Sequence, residues 1–144
     1  LILKKDQIED IVQRLDFIEI QLSDLGKFSS LNWQRYKDDR DTQRNIERLI
    51  ENVANASIDV SKILLAGEEV EMPNSYKDII LRLGTIGVLN TEEAGKLADY
   101  AALRNILAHQ YLDIKWDKIK YFIANAVKDY AIFIKKLADR VKKK

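Results

Sequence analysis

Apolar residues recur along this chain in alternating three- and four-residue steps, the spacing that lines one face of an α-helix. Ile8, Ile11, Leu15, Ile18, Leu22 and Leu25 form the first such stripe and predict a helix over residues 4–25, stopped at Gly26. Ile46, Leu49, Val53, Ser57, Val60 and Leu64 form the second, in a helix that begins near Asn32 to Arg35 and runs to Ala66, with Gly67 as its terminator. The chain turns around Pro73, its single proline, and NSYKDIILRLG reads as a shorter helix capped by Asn74 or Ser75. A fourth helix starts after Asn90-Thr91-Glu92-Glu93, which has the residue types of a capping box. The fifth carries Trp116, Ile119, Ile123, Ala126, Tyr130, Phe133 and Leu137, then ends in a basic tail. Strand-like alternation is nearly absent. Four long helices and one short one predict an all-α fold, an antiparallel helical bundle in a single domain spanning residues 1–144.

The fourth helix departs from the pattern. Leu97, Ala101, Arg104, Ala108 and Tyr111 share one face, while Leu103, Ile106 and Leu107 cover much of the rest. A helix apolar on nearly all sides is buried, inside the bundle or across a subunit interface. Arg104 then occupies a position where a leucine is expected, and a buried guanidinium needs an anion or a full set of acceptors. His109, the only histidine, lies about 140° around the helix from Arg104. For the two to meet, the helix must loosen near residues 107–110, or the two must come from different subunits. Asn105, four residues before His109, is on the histidine's side and can fix its tautomer. The ordinary alternative is that Arg104 pairs with a carboxylate and His109 is a packed or capping residue. On composition and spacing alone that alternative carries more weight.

Composition narrows the chemistry. Hydrophobic residues make up 47% of 144, enough for a sizeable core, and the formal charge of +1 excludes a global basic field. Any anion site must be local. The absence of cysteine removes disulfides, thiolate metal sites and cysteine nucleophiles, and with one histidine a structural zinc site is not expected. No apolar run approaches the ~18 residues of a membrane span, and LILKKDQIED is charged too early for a signal peptide. These features predict a soluble, cytoplasmic protein that needs no metal or organic cofactor.

The order of residue types in RNILAHQY, residues 104–111, goes further. It resembles the R-x(4)-H-x-Y motif of the HEPN superfamily (higher eukaryotes and prokaryotes nucleotide-binding), specifically its HepT-like toxins. Arg104, His109 and Tyr111 stand at the fixed positions, and Asn105 matches the polar residue that often follows the arginine. RDTQRNIERLIENVANASIDV at 40–60 is similar to the family's second helix, and RLGTIGVLNTEEAGKLADYAALRNILAHQY to its third and fourth.

The resemblance implies a metal-independent ribonuclease, the toxin of a toxin–antitoxin pair, acting as a homodimer whose two motifs face a shared cleft. Its partner would be a minimal nucleotidyltransferase antitoxin that transfers AMP from ATP to the motif tyrosine. Arg104 and His109 would be catalytic, Tyr111 the AMPylation site, and Asn105 a supporting contact. Histidine suits the proton transfers of RNA cleavage, and arginine suits charge on phosphoryl oxygens. A non-catalytic HEPN module that holds a nucleotide or an antitoxin is the alternative.

Two basic regions remain. Arg40, Arg44 and Arg48 form an i, i+4 row, with Asp41, Glu47 and Glu51 close by. That mixture reads first as a salt-bridged, solvated face. The resemblance sets Arg40 and Arg44 near the cleft and makes them RNA or phosphate contacts. From Lys128 to Lys144, seven basic residues face Asp129 and Asp139, a solubilising helix end able to add salt-sensitive affinity for RNA.

Overall fold

A computed structural model describes residues 3–109 and 116–142. The described residues form helices α1 (Lys5–Leu25), α2 (Trp33–Asp38), α3 (Arg40–Gly67), α4 (Tyr76–Thr85), α5 (Thr91–His109) and α6 (Trp116–Lys142), with a 3₁₀ turn at Gly26–Phe28. The stripes define the packing. Ile11, Leu15, Ile18, Leu22 and Leu25 of α1 are buried against Ile46, Leu49, Val53, Val60 and Leu64 of α3, with Ile119, Phe122, Tyr130, Phe133 and Leu137 of α6 completing the core. Each such side chain contributes ~1.5–3 kcal/mol of burial. Among the described residues no helix is long and apolar enough to cross a membrane.

Side-chain bonds between helices set their directions. Gln21 of α1 accepts from Asn52 of α3 at 3.2 Å and Arg14 reaches Asp59 at 3.7 Å, so α1 and α3 are antiparallel. Lys136 bonds Glu93 at 2.6 Å and Tyr100 donates to Asp129 at 2.5 Å, so α5 and α6 are antiparallel. Arg140 near the end of α6 holds Glu68 at the end of α3, at 2.6 Å, so those two run together. It follows that α5 runs opposite to α3 and delivers its last turn to the end of the bundle where α3 begins.

The helix predicted from Asn32 to Ala66 is two helices. The chain leaves α2 at Asp39, whose backbone is extended (φ −100°, ψ 98°), and α3 starts on the same residue as its cap. The Asp39 carboxylate accepts from the Thr42 amide at 3.2 Å and its hydroxyl at 2.9 Å. These bonds hold its pKa below the usual carboxylate range. Reorienting α2 lets Tyr36 turn inward and seats Trp33 and Tyr36 on Trp116, with Tyr36 and Trp116 centroids 5.2 Å apart. The other starts follow the sequence: Ser75 caps α4 through the Asp78 amide at 3.1 Å, and Asn90 and Glu93 bond reciprocally at 2.8 and 2.9 Å. Gly84 lets α4 lie close on α5, since a Cβ there would stand 3.0 Å from the Ala94 Cβ.

Candidate functional site

The site is built where α3, α4 and α5 meet. Arg104 points into this junction, half-buried rather than fully enclosed. Its Nε donates to Asn55 Oδ1 of α3 at 2.8 Å, and one Nη donates to Asn105 Oδ1 at 3.2 Å. Its guanidinium carbon lies 5.6 Å from the centroid of the Tyr76 ring, at the start of α4. Among the described residues, no carboxylate comes within ion-pair distance of it. Among the described residues the arginine is thus oriented by neutral groups, an arrangement that suits an anion-binding arginine. The carboxylate pairing raised as the ordinary alternative is not found among these residues.

His109 is exposed at the last turn of α5, and the helix is regular through it. Among the described residues no loosening of α5 brings it toward Arg104. On a regular α-helix the two positions of one chain lie about 140° apart around the axis and ~7.5 Å apart along it. Asn105 turns to Arg104 in the described arrangement and not to the histidine ring. Tyr111 lies outside the described residues.

Arg40 and Arg44 are exposed on the first turns of α3, about 22 and 16 Å before Asn55 at a ~1.5 Å rise per residue. They are not brought to Arg104, although they occupy the end of the bundle to which α5 carries its motif. Arg44 is bonded to Asp41 at 2.7 Å. Arg40 lines an open cleft of about 670 Å³ with Arg35, Asp38, Asp39 and Asp41, where acidic groups balance the basic ones. The mixed charge fits a solvated, salt-bridged face.

Asn55, Tyr76 and Lys62 were not singled out from the sequence. Lys62 sits two turns after Asn55 on the same face of α3, with its Nζ 5.1 Å from the Tyr76 centroid. Their roles come from contacts between separate helices, for which single-helix periodicity has no signal. Behind the site, Tyr100 and Asp129 form a buried link from α5 to α6. Burial first, then the bond to Asp129, pushes the Tyr100 pKa far up, so the phenol stays a donor across the neutral range.

Among the described residues, the fold is a helical bundle with a half-buried arginine near the end of α5 and an exposed histidine five residues later. Residues 18–137 match the family described as Ribonuclease HepT-like, and the chain belongs to that ribonuclease family. A relative is the tRNA nuclease HepT of Aphanizomenon flos-aquae, 28% identical over 129 residues, covering 88% of this chain and 86% of that protein. The fold is shared with the HEPN toxin of Shewanella oneidensis, solved tri-AMPylated in complex with its MNT antitoxin. That likeness has a TM-score of 0.81 at 18% identity, over 90% of this chain and 97% of the toxin. It is shared also with YutE, a cytosolic protein of unknown function from Bacillus subtilis, with a TM-score of 0.78 at 20% identity over 93% and 90% of the two chains.

Proposed function

We propose that this chain is a metal-independent endoribonuclease toxin that acts as a homodimer, with Arg104 of one copy working beside His109 of the other. The observation that carries the reading is Arg104 itself: a half-buried guanidinium held by Asn55, Asn105 and the Tyr76 ring, with no carboxylate on it among the described residues. The regular last turn of α5 turns His109 away from its own Arg104 and supports a composite, two-chain site. In this reading Arg104 binds the scissile phosphate and stabilises charge on its equatorial oxygens. His109 takes the proton of the substrate's 2′-hydroxyl as that oxygen attacks phosphorus. The bond from phosphorus to the 5′-oxygen breaks, the proton passes to that oxygen, and the products are a 2′,3′-cyclic phosphate and a 5′-hydroxyl.

The partner is a minimal nucleotidyltransferase antitoxin, supported by the complex in which the Shewanella oneidensis relative was solved. Tyr111 is the acceptor of AMP, and its added phosphates would fill the Arg104 anion site and repel RNA. Arg40 and Arg44 serve as outlying contacts to the strand, and the setting is the cytoplasm. Exposure of His109 favours the nuclease over a non-catalytic binding module, which has no use for an accessible imidazole. RNA cleavage in EDTA by wild type against Arg104→Ala and His109→Ala tests the proposal. Loss in both variants is expected, and equal activity in all three refutes it.

A further inference from the structure

Four cations of α3, α5 and α6 are matched by acids. Lys96 pairs with Glu92, Lys136 with Glu93, Arg140 with Glu68 and Arg44 with Asp41. Lys62 and Arg104 are different, because both lean on the ring of Tyr76, at 5.1 and 5.6 Å from its centroid. A π face orients a cation without cancelling its charge. Asp59, between Asn55 and Lys62 on α3, is engaged from the other side by Arg14 at 3.7 Å. The two cations therefore form one positive edge with the tyrosine as its spacer.

The dimensions fit a nucleic-acid strand. With both charges within 6 Å of one ring centre, Lys62 Nζ and the Arg104 guanidinium carbon are no more than about 11 Å apart. Successive phosphates on one strand are spaced ~3.4 Å along a helical axis, so this edge spans no more than about three nucleotides. Along the bundle, Lys62 lies ~10 Å from the level of Asn55 in one direction, and His109 ~7.5 Å from Arg104 in the other. A strand whose reacting phosphate rests on Arg104 has its next phosphates within reach of Lys62, on the side away from the same chain's His109.

We infer that Lys62, supported by Tyr76, is a second phosphate subsite for the RNA strand, flanking the one at Arg104. This rests on the proposed RNA-cleaving function and adds the binding register to it. The test is anisotropy of a fluorescent single-stranded oligoribonucleotide with every 2′-hydroxyl methylated, which removes the nucleophile and reports binding alone. Wild type, Lys62→Met, Tyr76→Phe, Tyr76→Leu and the charge control Lys5→Met are titrated across a range of potassium chloride, with helicity checked by circular dichroism. Lys62→Met keeps the stem and loses the charge. It is expected to weaken binding about fivefold and to lower the slope of log affinity against log salt by ~0.7, the loss of one single-strand phosphate contact. Tyr76→Phe should bind as wild type, and Tyr76→Leu should weaken binding as Lys62→Met does.

Binding and salt slope equal to wild type in Lys62→Met, or a loss no larger than that of Lys5→Met, overturns the subsite. So does failure of wild type to bind the oligonucleotide. RNA cleavage assayed in parallel separates the two ideas. Cleavage by wild type with an indifferent Lys62→Met removes the subsite and leaves the nuclease standing. Lys62-dependent binding without cleavage leaves the subsite and removes the nuclease.

Discussion

Replacing Tyr100 with phenylalanine deletes one oxygen from the centre of the link between α5 and α6. The phenol is 2% exposed, its acceptor Asp129 is 6% exposed, and the bond between them is 2.5 Å long. Phenylalanine keeps the ring and hence its edge contact with Phe122 at 5.1 Å and its stack with Tyr130 at 5.5 Å. What is lost is a charge-assisted hydrogen bond, worth ~1.5–3 kcal/mol, and Asp129 is left buried with one donor fewer. For a domain of this size, a loss of ~2 kcal/mol lowers the melting temperature by roughly 4–8 °C. Urea unfolding at one fixed protein concentration measures the change without confounding it with association. Asp129→Asn retains an acceptor for the phenol and should lose less than Tyr100→Phe. A Tyr100→Phe protein within ~0.5 kcal/mol of wild type, a typical surface-substitution effect, would refute the reasoning, since it would mean the bond contributes nothing to holding α5 in place.

Three further outcomes follow from local features. Glu69 takes the left-handed conformation (φ +59°) just after α3, where the Val70 amide bonds the Leu65 carbonyl at 3.1 Å, so Glu69→Gly should raise stability by ~1 kcal/mol in a urea titration. Asn90→Ala removes one half of the reciprocal cap on α5 and should cost ~1 kcal/mol, read the same way. Glu47 has its pKa raised by burial, with repulsion from Glu51 adding and the Tyr36 bond opposing. A carboxyl whose folded pKa exceeds its unfolded value loses stability as pH rises through that interval. Glu47→Gln should therefore be slightly more stable than wild type at pH 7, with the difference gone below ~pH 4; a difference that persists at low pH would contradict the assignment.

Several features of the fold were legible in one sequence because they are local. The α1, α3 and α6 stripes, the Ser75 cap and the Asn90–Glu93 box each depend on residues within a few positions. The break at Asp39 is not marked by the apolar spacing, because no apolar residue stands between Tyr36 and Ile46 to register a change. A signal was present in Asp39 followed by Thr42, a side-chain cap inside an otherwise helical pattern. At the site, the sequence supplied Arg104, His109 and their 140° separation, but not what holds the arginine. Asn55, Tyr76 and Lys62 lie on other helices, and their meeting depends on how α4 seats against α5 at Gly84. Arg40 and Arg44 lie on the mixed-charge face that the interleaved Asp41 and Glu47 suggest in the sequence, with Arg44 bonded to Asp41.

The central claim is that Arg104 and His109 act together across two copies of the chain, and subunit complementation tests it most directly. Arg104→Ala and His109→Ala proteins are unfolded together, refolded as a mixture, and assayed for RNA cleavage in EDTA against each variant refolded alone. A mixed dimer would carry one intact composite site, so random pairing predicts recovery of about a quarter of the wild-type rate from two inactive parents. No recovery in a mixture shown to contain mixed dimers would contradict the account.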